Sequence, residues 1–216
     1  MTVVLGYSCK DYSLLLSDKR ATEANGDFHD EAEKLTIISN KGWASAIGHA
    51  GLAEVTFNEI TSVKINEFVD IFNVYQRMYN IAVSGGVVEN NDGSMIIFTF
   101  YNDDRFTLYT LDGSSPELKP VAFEKKIIMN GSISIIDEIC SRYSYGVDIA
   151  GSMNNVIHTM QSMFRDISSE SNHKSDHFDI GITYHEYGKI KIGKIEKHLP
   201  VEDFGYNWMS MIRWIS

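Results

Sequence analysis

Two pairs of helical stretches, set between groups of short strand-like runs, constrain this chain more than any other feature of its sequence. Residues 3–7 and 13–17 are β-prone runs around Cys9-Lys10-Asp11-Tyr12, which reads as a hairpin. A polar loop holding Asn25-Gly26-Asp27 separates them from residues 35–39 and 43–47, which flank the turn Asn40-Lys41-Gly42. Gly48-His49-Ala50-Gly51 breaks that pattern and helical spacing begins. A weak helical pattern covers residues 52–64. A stronger one is capped by Asn66, aligns Phe68, Ile71, Phe72, Tyr75 and Tyr79 on one face, and stops at Ser84-Gly85-Gly86.

The alternation then repeats. Residues 95–101, 105–111 and 121–129 read as strands, with Asn102-Asp103-Asp104 and Asp112-Gly113-Ser114 as turns. A helix is predicted over about 134–141, and a longer one with Ile149, Met153, Val156, Ile157, Met160 and Phe164 on its apolar side. Its methionines read as core filler. Residues 178–184 and 189–195 form a late hairpin around Tyr187-Gly188, and the aromatic tail FGYNWMSMIRWIS packs on the body or on a neighbouring subunit. With neither repeat nor low-complexity linker, the 216 residues read as one α+β domain over 1–216, large enough to bury a sizeable core.

Charge and cysteine content exclude several classes. A net charge of −10 gives a nucleic-acid partner little electrostatic support. No basic n-region and no long apolar run occurs, so neither a signal peptide nor a membrane span is expected. Cys9 and Cys140 are far apart and suggest no disulfide framework or zinc ribbon, which fits a reducing cytoplasm. Cys140 reads as a small buried hydrophobe. His173 and His177, with Asp176 and Asp179 nearby, have the types of metal ligands, but the flanking Ser, Asn and Lys make a histidine-rich surface loop the better reading. Neither a metal nor a cofactor is expected.

The chemistry begins at Thr2. A threonine behind Met1 is small enough for Met1 to be removed, which leaves a hydroxyl beside a free α-amine. Thr2 is then either a β-branched strand opener or a nucleophile that carries its own base. The amine's unperturbed pKa of about 7.7–8.0 is close to working pH, where general-base catalysis is most efficient. A nearby ammonium would depress that pKa and steady an alkoxide, a carboxylate would hold the ammonium, and backbone N–H groups would form an oxyanion hole. Asp18 in SDKRAT, Lys34 in EAEKLTIIS and Gly48 in AIGHAG supply these parts in turn. Taken singly, each has a structural reading: a turn acid, a solvated strand end and a steric necessity.

Together, Thr2, Asp18 within DKRAT, Lys34 and Gly48 within IGHAG resemble the N-terminal segment of the proteasome β-subunit superfamily, including HslV-type and Anbu-type relatives. The spacings between the four match the family's without a gap. Further along the resemblance is looser: MNGSIS offers Gly131 and Ser132 for a G-S-G-like turn, and FRDISSES offers Asp166 and Ser169 for a pair that supports the N-terminus. The resemblance implies a four-layer αββα sandwich of the N-terminal-nucleophile hydrolase type. It also implies a threonine peptidase or amidohydrolase that cleaves peptide amides through an acyl-enzyme on Thr2. Lys34 would tune, Asp18 would anchor Lys34, Gly48 would hold the oxyanion, and Ser132, Asp166 and Ser169 would support the terminus. Peptide or unfolded-protein substrates, a homo-oligomeric ring and an ATP-dependent unfoldase are implied partners. Residues between the aspartate and the lysine and just beyond the lysine line the family's specificity pocket, where Thr22 and Ser45 fall. If Met1 stays attached, the alternative is an inactive proteasome-like subunit with a structural or assembly role.

Overall fold

A computed structural model describes residues 2–22, 27–89, 93–113, 121–123, 128–131, 138–139, 141–143, 152–170, 175, 177–198 and 207–215. The first hairpin pairs β1 (Val3–Ser8) with β2 (Tyr12–Asp18), and its register sets Leu5 opposite Leu16. Every residue of both strands is buried, so they read as nearly continuous apolar runs, the pattern of strands covered on both faces. Val3, Leu5, Tyr7, Leu14 and Leu16 point one way, while Val4 and Leu15 point the other.

The remaining elements supply the two coverings. In chain order they are β3 (Ala21–Thr22), β4 (Phe28–His29), β5 (Thr36–Ile38), β6 (Gly42–Ile47), α1 (Ala50–Ser62), α2 (Phe68–Ser84), β7 (Met95–Asn102), β8 (Arg105–Asp112), β9 (Val121–Phe123) and β10 (Ile128–Gly131). Then follow α3 (Met153–Glu170), β11 (His177–Glu186), β12 (Lys189–His198), a single 3-10 turn over Trp208–Met211, and β13 (Arg213–Ile215). Two antiparallel sheets result, with strand orders β10-β1-β2-β11-β12-β13 and β5-β6-β7-β8-β9, beside the small β3-β4 ribbon.

Three cores hold these elements. Val156, Ile157, Met160, Phe164 and Ile167 of α3 recur at helical spacing and pack on Leu5, Leu14, Leu16, Phe178 and Ile180 of the larger sheet. Ile71, Tyr75 and Tyr79 of α2, with Leu52 and Ile60 of α1, pack on Ala44, Phe98, Phe100 and Leu111 of the smaller one. Val4, Leu15 and Ile192 meet Trp43, Ile97 and Leu108 between the sheets. Each fully buried leucine or phenylalanine here contributes roughly 1.5–3 kcal/mol of transfer free energy.

The structure corrects three expectations. The cap of α2 is Glu67 rather than Asn66, because the Asp70 carboxylate accepts both the Asn66 and the Glu67 N–H, at 2.8 and 3.0 Å, in a capping box. The run over 121–129 is two strands, β9 and β10, which pair in different sheets. The charged run Glu124-Lys125-Lys126 separates the two halves in the sequence. His177 and Asp179 lie in β11 rather than on a loop; His173, Asp176, Cys140, Ile149 and the start of the helix expected over 134–141 lie outside the described residues. The tail packs on the body, with Ile212 buried in the α3 core and β13 paired to β12. No helix among the described residues is long and apolar enough to cross a membrane.

Candidate active site

The antiparallel register of the first hairpin brings the chain start to the end of β2. The Val3 N–H donates to Asp18 Oδ1 at 2.8 Å, which fixes the position of Thr2 just before it. The Arg20 N–H donates to Asp18 Oδ2 at 3.1 Å. A short coil then leads from β4 to β5 and delivers Lys34, whose Nζ donates to Asp18 Oδ2 at 3.0 Å, to Thr2 Oγ1 at 3.2 Å and to the Arg20 carbonyl.

An ammonium has three N–H bonds, and here each has an acceptor. The Asp18 carboxylate is likewise satisfied, by two backbone N–H groups and the lysine. Asp18 is buried, at 4% exposure, and Lys34 is largely so, at 14%. A buried ion pair is tolerated when its remaining valences are filled in this way. Burial, which disfavours a charged amine, holds the Lys34 pKa below the ordinary lysine value against the opposing pull of Asp18. The group is a cation aimed at a threonine oxygen, with its proton held less tightly than in water.

Gly48 lies just past the end of β6, three residues after Ser45, whose Oγ donates to Ser17 Oγ of β2 at 3.3 Å. That contact puts the ends of β2 and β6 on one side of the molecule. The Gly48 φ is +108°, and an added Cβ would stand 2.4 Å from Ser94 Oγ, so glycine is required on two counts. Ser94 Oγ also accepts the His49 N–H at 3.2 Å. Ser45 is fully buried. Thr22 belongs to β3.

Of the supporting residues expected further along the chain, Asp166 and Ser169 make the following contacts. Asp166 accepts from the Tyr143 hydroxyl at 2.7 Å and from Arg142 at 3.3 Å, and the Ser169 hydroxyl donates to the Asp166 carbonyl at 2.9 Å. It is Phe164, Ile167 and Ser168 that α3 turns towards Val3, Asp18 and Arg20. Ser132 lies outside the described residues.

Sequence reasoning passed over the layer behind Lys34. Arg20 forks onto Asp30, Nε to Oδ1 at 2.9 Å and Nη2 to Oδ2 at 2.7 Å, and the buried Ser175 hydroxyl donates to the same Oδ1 at 3.0 Å. Arg20 stood in the DKRAT stretch as a usable signal, whereas Asp30 in the acidic run HDEAEK is indistinguishable from a solvated charge. On the other side, Lys194 pairs with Glu33, with Asp179 at 2.9 Å and with Glu196 at 3.3 Å. Those three carboxylates converge closely enough to hold a cation, and the Lys194 ammonium already fills that role.

Comparison with known proteins adds one fact about the fold. No family model matches the chain, and neither does any curated protein. Among solved structures it is similar to the Anbu (Gly-1) mutant from Hyphomicrobium sp. strain MC1, with a TM-score of 0.71 over 94% of this chain and 89% of that one. The two sequences are 13% identical, so the likeness is one of fold.

Proposed function

We propose that this chain is a proteasome-like, threonine-type N-terminal-nucleophile hydrolase, a single domain built as a four-layer αββα sandwich, that cleaves peptide amides through Thr2 after Met1 is removed. The observation that carries the reading is the Lys34 ammonium, which donates at once to Thr2 Oγ1 and Asp18. Because Lys34 donates to the oxygen, the hydroxyl proton of Thr2 has to leave in another direction. The α-amine on the same residue is the acceptor within reach. The Oγ lone pair then attacks the amide carbon, and the hydroxyl proton passes to the amine through a water. Lys34 stabilises the developing alkoxide, and the Gly48 N–H serves the oxyanion. The amine returns the proton to the departing nitrogen, leaving an ester on Thr2, and water attack with the same amine as base releases the acid. No step in this scheme runs through Ser132, Asp166 or Ser169.

The layered cores, with helices against the outer face of each sheet, support the sandwich, and the likeness to Anbu supports the proteasome-like kind. Assembly into a homo-oligomeric ring, peptide or unfolded-protein substrates, an ATP-dependent unfoldase and a cytoplasmic location belong to the same proposal. The deciding experiment is the intact mass of freshly expressed protein before and after exposure to a β-lactone. Loss of the Met1 mass followed by one adduct that maps to Thr2 is expected. Retained Met1 with no adduct would replace the hydrolase by an inactive assembly subunit.

A further inference from the structure

Lys34 hangs from a segment with no helix or strand of its own, since residues 30–35 run as coil between β4 and β5. A cation that must hold three acceptors at once cannot rest on a loose support. The Ala32 N–H donates to the Lys19 carbonyl at 2.9 Å, Glu33 pairs with Lys194 and Leu35 is buried between the sheets, and a further restraint comes through Arg20 and Asp30.

Arg20 is the pivot. Its backbone carbonyl accepts from Lys34, and its backbone N–H donates to Asp18. Its side chain, 8% exposed, is held by Asp30 through two parallel bonds, a planar fork that fixes direction as well as distance. Asp30 is held in turn by Ser175, whose carbonyl accepts from the Ser168 hydroxyl of α3 at 3.2 Å. The chain of contacts runs from the helix, through two serines and an ion pair, to the carbonyl against which Lys34 is set.

We propose that Asp30 is a positioning residue for Lys34: by clamping Arg20 it fixes the carbonyl that, with Asp18, cradles the ammonium beneath Thr2. This rests on reading Lys34 as the cation that serves Thr2. The clamp has an electrostatic side as well. The groups facing Lys34 are Thr2 just before β1, Asp18 from β2, Arg20 beyond it and Asp30 from the coil, while His177 of β11 faces Asp30. Asp30 favours the charged lysine and Arg20 disfavours it, so the two oppose each other at Lys34. Removing the Asp30 charge leaves a buried guanidinium uncompensated beside the ammonium.

The test reads Lys34 directly. Protein is trace-acetylated with acetic anhydride over a pH series, and acetylation of the Lys34 peptide is quantified by mass spectrometry in wild type, Asp30→Asn, Asp30→Glu and Ser175→Ala. The Lys34 midpoint is expected to move to lower pH in Asp30→Asn, to return towards wild type in Asp30→Glu, and to move less in Ser175→Ala. Thr2 labelling by the β-lactone should fall about tenfold or more in Asp30→Asn, the scale of effect expected when a reacting group is displaced. A folded Asp30→Asn whose Lys34 midpoint stays at the wild-type pH overturns the proposal, even if labelling falls, because loss of structure alone would not hold the midpoint. Should Asp30→Asn fail to fold, an unmoved midpoint in Ser175→Ala overturns it instead. A wild type that takes no lactone adduct removes the hydrolase reading, and the acetylation profile still decides the role of Asp30.

Discussion

Lys34 Nζ donates to Thr2 Oγ1 across 3.2 Å, joining the residue that leads into the first strand to a coil residue 32 positions further along the chain. The contact has chemical weight because the donor is charged and buried. Lys34→Ala should therefore slow β-lactone labelling of Thr2 by about 10²–10³-fold, the cost of losing one preorganised donor at a developing oxyanion. Thr2→Ala should take no adduct while its far-ultraviolet circular dichroism stays that of wild type. Normal labelling in Lys34→Ala would detach the lysine from the chemistry.

The same pair sets a pH profile. The amine must be neutral to accept a proton, so labelling rises as pH passes through its pKa. Lys34 must be charged to steady the alkoxide, so labelling falls again as Lys34 deprotonates. Burial places that descending limb below the ordinary lysine value of 10.5, and Asp18, which favours the charged form, holds it up. Asp18→Asn should move the descending limb to lower pH and narrow the bell. Stopped-time labelling across the alkaline range would show it; a limb that stays in place means that Lys34 is not the group titrating.

Asp30 carries a stability signature that is separate from activity. Burial alone would raise its pKa, but the Arg20 fork, the Ser175 hydroxyl and the Arg20 charge outweigh that and hold it below the ordinary carboxylate value of 3.8. A lowered carboxylate pKa contributes stability that is complete above the unfolded value and is lost as pH falls through the folded one. Urea midpoints of wild type and Asp30→Asn should differ at neutral pH and converge in acid below 3.8. A gap that persists unchanged into acid would mean that the carboxylate charge is not what Arg20 needs.

The legibility of this chain follows from where the information resides. Strand pairs with tight turns, and helices with an apolar face, are local patterns, so β1–β2, β5–β6, β7–β8, β11–β12 and α2 stand where the residues put them. Thr2, Asp18 and Lys34 were legible through the family resemblance that their spacing carries, and the fold brings them into contact. What the sequence concealed depends on tertiary crossings. The run over 121–129 contains no mark that its halves belong to different sheets, and β13 is a three-residue edge strand in a tail that reads only as aromatic. Successive helical residues turn by about 100°, and in α3 it is Ser168, between Asp166 and Ser169, that lies against Val3, Asp18 and Arg20. Asp30 and Ser175 are 145 residues apart, and no local pattern could have paired them.

Gly48→Ala tests the turn after β6. The left-handed φ of +108° penalises a side chain by roughly 1–2 kcal/mol, and the new Cβ would also press on Ser94. Lower stability in urea is expected, together with weaker labelling if this N–H serves the oxyanion. An alanine variant as stable as wild type would show that the turn tolerates a side chain.

Trp43 tests how the two sheets are held together. Its ring lies between them, 2% exposed, against Gly181, where an added Cβ would stand 2.5 Å from the indole. Its Nε1–H donates to the Ile182 carbonyl of β11 at 3.2 Å, a hydrogen bond from one sheet to the other within a largely apolar layer. Trp43→Phe keeps an aromatic ring in the gap but removes that donor and some volume, and should cost about 1–3 kcal/mol of unfolding free energy. Gly181→Ala should be worse, because indole and methyl cannot share the space and the sheets would have to part. Because β11 pairs with β2, and β2 ends at Asp18, such a parting would reach the site. The equilibrium measurement is urea unfolding of both variants, read alongside Thr2 labelling under native conditions. Loss of stability with labelling retained would mean that the gap serves the fold alone, whereas parallel losses would tie the sheet spacing to the placement of Asp18 under Lys34.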